Sequence, residues 1–437
     1  MAGREATLRG AWTVLIAAMF AVCPAMGEAP ARPNVVFLTV DTLRADHLGC
    51  YGYPRPTSPV IDAFAKEGVV FEDATCEVPL TSPSFGAMLT SRPPRLNGST
   101  RNGLRLPEET RSVVQIFKEA GYSTFCVQSN WTLKAKLSGI ERGFDSYDDD
   151  FHDKRWGIIK PEREGSHVTE LALAQLKQQD PTKPFFGWIH YSDPHAPYKH
   201  HKDFKVWKES TLQLDKVAKV RAKYDSEIRF VDTEVAKILA ALPPNTAVVF
   251  VSDHGESLYE HNYLGHGRRI YQDNMHIAFV VRAPGLAPGR QSAPVRGLDV
   301  GPTLLGLAGL QKAPEMIGLD VLREPVPNDR VRVFETYGGA VLHLPGAKAV
   351  LSGRPPMRQG VRLGPWKLIV DGKREELYHL PDDPGELKDL AKANPSQVEE
   401  LRGHLAAWEK EHPRAAEKEE ELTEDDRKAL EAFGYLK

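Results

Sequence analysis

Five short apolar runs, most of them cut off by polar or ionisable residues, constrain this chain more than any other feature. Residues 35–40 (Val-Val-Phe-Leu-Thr-Val) stop at Asp41. Residues 123–127 run into Gln128-Ser129-Asn130, and residues 184–189 into His190-Tyr191-Ser192-Asp193. Residues 247–251 end at Ser252-Asp253-His254, and residues 277–281 at Arg282-Ala283-Pro284-Gly285. Runs of this length, rich in β-branched and aromatic residues, read as strands buried on both faces.

Helical periodicity fills the gaps. Ile61, Phe64 and Ala65 share a face over residues 59–67, residues 113–120 follow, and Leu171, Leu173 and Leu176 mark residues 167–178. The longest pattern covers residues 214–242, with Val217, Val220, Tyr224, Ile228, Val231, Val235 and Ile238 at three- and four-residue steps. Alternating strand and helix predicts an α/β fold: a mostly parallel or mixed central sheet with helices on both faces. Ligands of such sheets bind outside the carboxyl ends of the strands, where Asp41, Asp193 and Asp253 fall.

The texture changes near residue 313. Pro and Gly become frequent, short strands are expected within 360–370 and 377–380, and Asn394-Pro395 opens a helix carrying Val398, Leu401, Leu405 and Trp408. The expected division is a catalytic α/β domain over 28–312 and a C-terminal subdomain over 313–437, a small antiparallel sheet with a helix. Residues 417–428 are charge-dense and read as a solvated helix or tail.

Residues 1–27 read as an export signal. Arg4 and Arg9 precede an apolar stretch at 11–22, and Ala25-Met26-Gly27 offers small residues for cleavage. The expected location is the bacterial periplasm or the exterior, with no stable membrane span after cleavage. Cys50, Cys76 and Cys126 then remain, and buried free thiols are the favoured reading. A net charge of -3 gives no electrostatic case for nucleic acid.

Three clusters carry the chemistry. The first begins at Asp41 and includes Asp46 and His47; His47 reads as structural. The second is Thr81-Ser82-Pro83-Ser84, where Pro83 suits the first turn of a helix and places Thr81 at its start. Unpaired N–H groups and the helix dipole favour an anion there. A plain N-cap is the competing reading of Thr81. The third is Ser252-Asp253-His254-Gly255-Glu256, followed by His261 and His266. Two acids, an imidazole and a hydroxyl make an oxygen-rich set for one divalent cation, whether Mn, Ca, Mg or Zn. Such a cation lowers the pKa of the Thr81 hydroxyl, and His195 and His266 could bind the ester oxygens or protonate the leaving group.

These motifs resemble the sulfatase family of the alkaline-phosphatase superfamily. The matching stretches are Val40-Asp41-Thr42-Leu43-Arg44-Ala45-Asp46, Pro79-Leu80-Thr81-Ser82-Pro83-Ser84, Asp193-Pro194-His195-Ala196-Pro197-Tyr198, Ser252-Asp253-His254-Gly255-Glu256 and Trp366-Lys367-Leu368-Ile369. The resemblance implies an alkaline-phosphatase-like fold. It implies Asp41, Asp253 and His254 as metal ligands, Thr81 at the nucleophile position and His195 by the leaving group. His266 stands where many members carry Lys, and Arg101 and Asn102 take positions near the ester oxygens. His190 is a further substrate-binding candidate, although a strand-end hydrogen-bonding role is favoured for it. A second cation on Asp193, His195 and His266 is less favoured, because the spacing is not that of two-zinc relatives.

Two departures matter. Sulfatases carry Cys or Ser at the nucleophile position, oxidised to formylglycine, followed by x-Pro-x-Arg. Here Thr81 and Phe85 stand in those places, and Thr42 replaces a second Asp. A hydrated aldehyde can release sulfate by elimination, whereas a Thr ester must be displaced by water. Phosphate mono- and diesters and phosphonates are therefore weighed above sulfate esters. The expected function is an exported, metal-dependent ester hydrolase acting on a small-molecule, glycan or lipid ester. The alternatives are a phospho-head-group transferase and a catalytically silent binding protein. Residues 142–161 and 199–213 are expected to hold the loops that choose the substrate.

Overall fold

The computed structural model describes residues 32–150, 162–204, 206–208, 214–338 and 355–414, and the backbone of 154–155 and 158–159. The export signal, the tail at 417–428 and parts of both substrate-loop stretches lie outside the described residues.

An eight-stranded sheet forms the centre. Its strands are β1 (Asn34–Val40), β2 (Val69–Thr75), β3 (Ser123–Val127), β4 (Ser146–Asp148), β5 (Phe185–Tyr191), β6 (Thr246–Ser252), β7 (Phe279–Arg282) and β8 (Gly289–Arg296). They lie in the order β8-β2-β7-β6-β1-β5-β3-β4. Parallel pairing sets Val40 opposite both Tyr191 and Ser252, so β1, β5 and β6 finish level. That register puts the residues after each strand, Asp41, Ser192-Asp193 and Asp253-His254, along one edge.

Side chains of β1 alternate between two cores. Val35 and Phe37 face a layer with Phe85, Met88 and Leu89 of α2 (Thr81–Thr90), Val113 and Phe117 of α3 (Val113–Glu119), and Leu304. Val36, Leu38 and Val40 face Ile61, Val168, Ala172, Ile228, Val231 and Val235. The latter come from α1 (Pro59–Lys66), α4 (Gly165–Gln178) and the 26-residue α5 (Lys216–Ala241). Asp215 opens α5 by accepting from the Ala218 N–H at 2.8 Å. Each fully buried aliphatic or aromatic side chain in these layers contributes about 1.5–3 kcal/mol of transfer free energy.

The sheet is mixed because β7 runs antiparallel to both β2 and β6. The chain from Asp253 to Ala278 stays on the carboxyl edge instead of crossing a face, so β7 must return in the opposite direction. The edge strand β8 has no apolar run; its first half is exposed and a bulge breaks its register between Gln291 and Pro294.

A second sheet, β9 (Arg332–Thr336), β10 (Arg358–Leu363), β11 (Trp366–Asp371) and β12 (Arg374–His379), is an antiparallel meander. The helix α6 (Pro395–Glu411) covers it with Val398, Leu401, Leu405 and Trp408. Buried Arg95 ties it to the main body by donating to Glu335 Oε1 at 2.6 Å. Cys76 and Cys126 are buried free thiols, and Cys50 is free and half-buried. Among the described residues no helix is long and apolar enough to cross a membrane.

Candidate active site

The carboxyl edge of β1 and β6 gathers three acceptors. Asp41, Asp253 and His254 are fully buried, and one ligand atom from each lies within 4.8 Å of the other two. His254 Nδ1 lies 2.9 Å from the Gly255 carbonyl, which can only accept, so Nδ1 carries the proton and Nε2 is a bare lone pair. That nitrogen sits 3.3 Å from Asp253 Oδ2 and 3.9 Å from Asp41 Oδ1. All three atoms lack a hydrogen-bond partner. Burial, then the facing Asp253, pushes the Asp41 carboxyl well up. Burial holds Asp253 at about 7 and drives His254 far down, toward its neutral form. Three buried acceptors converge with no hydrogen-bond donor between them, and a cation there would favour the ionised carboxylates that burial otherwise opposes, so this donor set fits a divalent metal.

The remaining lone pairs are satisfied in ways that fix the cluster. Asp253 Oδ1 accepts from the Thr42 N–H at 3.0 Å and the His254 N–H at 2.8 Å. Asp41 Oδ2 accepts from the Asn130 amide. Thr42 adopts a left-handed conformation at φ 54°, uncommon for a β-branched residue. Tyr224 holds the turn by donating to the Thr42 carbonyl at 2.7 Å. The Thr42 hydroxyl donates to the Asp41 carbonyl at 2.8 Å, so it does not supply the carboxylate's missing counterpart to the cluster.

Thr81 is the first residue of α2 and is buried. The helix start has no side-chain cap of its own. Asn102 supplies one from another segment, its Oδ1 accepting from the Ser82 N–H at 3.0 Å. One turn on, the Ser84 hydroxyl donates to the Asp253 carbonyl at 2.7 Å, which ties the helix start to the acidic cluster. Phe85 is fully buried, with ring centroids 4.9 Å from both Trp188 and His190.

Three imidazoles line up beside the cluster. The His254 and His266 centroids are 4.6 Å apart, and those of His266 and His195 5.1 Å. The end ring His195 and the middle ring His266 are each braced by a carboxylate: His195 Nδ1 lies 2.6 Å from Glu162 and His266 Nδ1 3.2 Å from Glu256. Burial works against the His195 charge, but Glu162, then Asp41 and Glu256, carry its pKa up to about 10.

The structure thus brings Asp41, Asp253, His254, His266 and His195 together and attaches the Thr81 helix start to them. It places Asn102 as a helix cap and turns the Arg101 guanidinium to the Tyr337 carbonyl and ring. His190 is fully buried, its Nδ1 2.9 Å from the Thr39 hydroxyl and its Nε2 3.8 Å from Asp41 Oδ2. Burial, then His195, pushes its pKa down to about 3. Asp193, His195 and His266 do not converge as a second cation cluster among the described residues. His47 lies 2.7 Å from Asp225, and His261 stacks on Tyr271 at 3.6 Å. Sequence reasoning missed Glu162 and Asn130, which sit in loops with no motif around them. Only their polar character after a strand or before a helix could have flagged them.

Residues 33–310 match the Sulfatase family profile. The Ulvan-active sulfatase of Formosa agariphila is 28% identical over 344 residues, covering 69% of this chain and 66% of that protein. The Delta 4,5-hexuronate-2-O-sulfatase of Bacteroides thetaiotaomicron is 25% identical over 445 residues, covering 88% of this chain and 90% of its own length. The solved phosphonate monoester hydrolase of Agrobacterium radiobacter shares the fold at a TM-score of 0.70 and 20% identity, covering 90% of this chain and 99% of that one. The profile spans well over half of the chain, which therefore belongs to the sulfatase family of ester hydrolases, within the alkaline-phosphatase superfamily.

Proposed function

We propose that this chain is an exported, metal-dependent hydrolase that cleaves phosphate monoesters, diesters or phosphonates, with sulfate esters second, through Thr81 as nucleophile. The observation that carries the reading is the set of three unpartnered acceptors, Asp41 Oδ1, Asp253 Oδ2 and His254 Nε2, tied through Ser84 to the helix that Thr81 begins. Those residues, with the Thr81 hydroxyl, would hold a divalent cation. When bound, it lowers the pKa of a contacting hydroxyl and offsets charge on the ester oxygens. The export part rests on the sequence of residues 1–27 alone.

Thr81 attacks the phosphorus or sulfur centre, its hydroxyl proton passing to solvent as the new ester bond forms and the bond to the leaving oxygen breaks. His195, kept protonated by Glu162, gives that oxygen its proton. Water then displaces the Thr81 ester, the neutral His195 taking a proton from the attacking water and the freed Thr81 oxygen regaining one from solvent. Thr81 has no oxidisable thiol or primary alcohol, so formylglycine elimination is closed to it. The names of the relatives speak for glycan sulfates, and that of the phosphonate hydrolase for phosphorus esters. Rates on aryl sulfate, aryl phosphate, aryl phosphodiester and aryl phosphonate, with Mn-loaded and metal-stripped protein, test the reading. Metal-dependent turnover dominated by phosphorus esters supports it. Dominant sulfate turnover overturns the ranking, and turnover indifferent to metal overturns the mechanism.

A further inference from the structure

Beside His195 the structure opens a cavity of 120 Å³. Its wall carries Glu162, Asp193, Glu227, Arg163, Lys199 and Pro197. Among the described residues, Pro197 is the one apolar side chain lining it, and the His195 imidazole is its one aromatic ring. His195 is the residue assigned above to the leaving oxygen, so the leaving alcohol departs toward this space.

The charges on the wall are unequally committed. Arg163 donates to Asp148 at 2.6 Å, and His195 is paired with Glu162. Glu227 is paired with His201 at 2.6 Å. Lys199 and Glu164, which also lines the cavity, are exposed, so water screens their charges. Asp193 differs from all of these. It is 8% exposed, and its Oδ2 is buried without a hydrogen-bond partner. Gly165, at the start of α4, keeps that oxygen clear, since a Cβ there would come within 2.9 Å of it. Burial, then the charge of Glu227, pushes the Asp193 carboxyl up to about 7. A buried, unpaired carboxylate facing a second carboxylate is costly. A neutral hydroxyl would give it one donor and leave the repulsion in place. An ammonium group supplies several donors and offsets both charges.

We infer that this cavity is the leaving-group subsite and that it takes an alcohol bearing a primary ammonium group, an amino alcohol or amino sugar, which Asp193 binds directly. The inference rests on the ester-hydrolase reading only for calling the occupant a leaving group; the ammonium preference stands on the cavity itself.

The test uses the full chain with Mg²⁺ added and 13C-labelled Asp carboxyls, the Asp193 resonance being assigned with Asp193→Asn. Glucosamine, glucose and glucuronate are titrated in turn, with potassium chloride at matched ionic strength. The Asp193 resonance is expected to shift and saturate with glucosamine, and its titration midpoint to move down. An equal response to glucose, glucuronate or the salt overturns the inference, as does no response to glucosamine. In turnover, kcat/KM for the glucosamine 6-ester is expected to exceed that for the glucose 6-ester by about tenfold or more. Lys199→Gln, at an exposed position that tolerates change, removes a cation from the wall and is expected to widen that ratio. A ratio near one in the wild type, or one that Lys199→Gln narrows, overturns the inference. Turnover of both esters surviving Thr81→Ala would sink the hydrolase mechanism while leaving the glucosamine response as it is.

Discussion

Glu162 Oε1 lies 2.6 Å from His195 Nδ1, joining the segment that enters α4 to the loop after β5. The pair keeps His195 charged up to about 10, against the effect of its burial. Glu162→Gln removes the charge and lets the His195 pKa fall. The alkaline limb of the kcat/KM profile should move down, with a loss of about tenfold or more near pH 9 and little change near pH 6. A purely structural role for Glu162 would lower the rate equally at both. The raised pKa also makes the pair a source of stability that is fully present below the ordinary histidine value and is lost as pH rises toward about 10.

If the proposed cation binds Asp41, Asp253 and His254, these acceptors stabilise the fold only with it between them. Chelator should lower Tm, and Mn²⁺ at about a hundredfold its Kd should add about 2.7 kcal/mol. His254→Ala should abolish that increment while leaving the metal-free Tm unchanged or raised. Differential scanning calorimetry of the two proteins, with and without Mn²⁺, decides it. An increment that survives His254→Ala places the cation elsewhere.

Much of this was legible in the residues because the fold writes its signal in runs. The stretches that became β1, β5 and β6 are continuous apolar strands ending at acids, and the 26-residue α5 keeps its three- and four-residue step throughout. The β8 strand carried no such signal: Gly-Arg-Gln-Ser-Ala-Pro lies half exposed at an edge and draws its register from β2. In the site, Asp41, Asp253 and His254 each end or follow a strong strand, so pattern alone set them on one edge. Glu162, Asn130 and Asn102 act through contacts across 20 to 89 residues of sequence, which no local pattern encodes.

Asn102 caps α2 from outside the helix, beside Thr81. Asn102→Ala should cost about 1 kcal/mol of stability by denaturant titration and lower kcat as the helix start loosens. Asn102→Asp keeps the acceptor oxygen and should restore both. If Asn102 instead binds the ester anion, the added negative charge of Asp will depress kcat/KM below that of Ala.

Arg95 and Glu335 are both almost fully buried and paired at 2.6 Å between the main body and the small sheet. Glu335→Ala leaves the guanidinium without its principal counter-charge. It should destabilise the protein by about 3–5 kcal/mol in urea titration. A loss under 1 kcal/mol would show that Glu409, 3.2 Å from the same nitrogen, suffices.

The central claim is that the hydroxyl of Thr81 forms the covalent ester. Its most direct measurement is single-turnover hydrolysis of the best aryl ester by Thr81→Ala and Thr81→Ser, each metal-loaded and shown to be folded by its wild-type Tm. Thr81→Ser is predicted to retain turnover, and Thr81→Ala to lose about a thousandfold or more. Turnover by Thr81→Ala within tenfold of wild type would contradict the account and make water the attacking group.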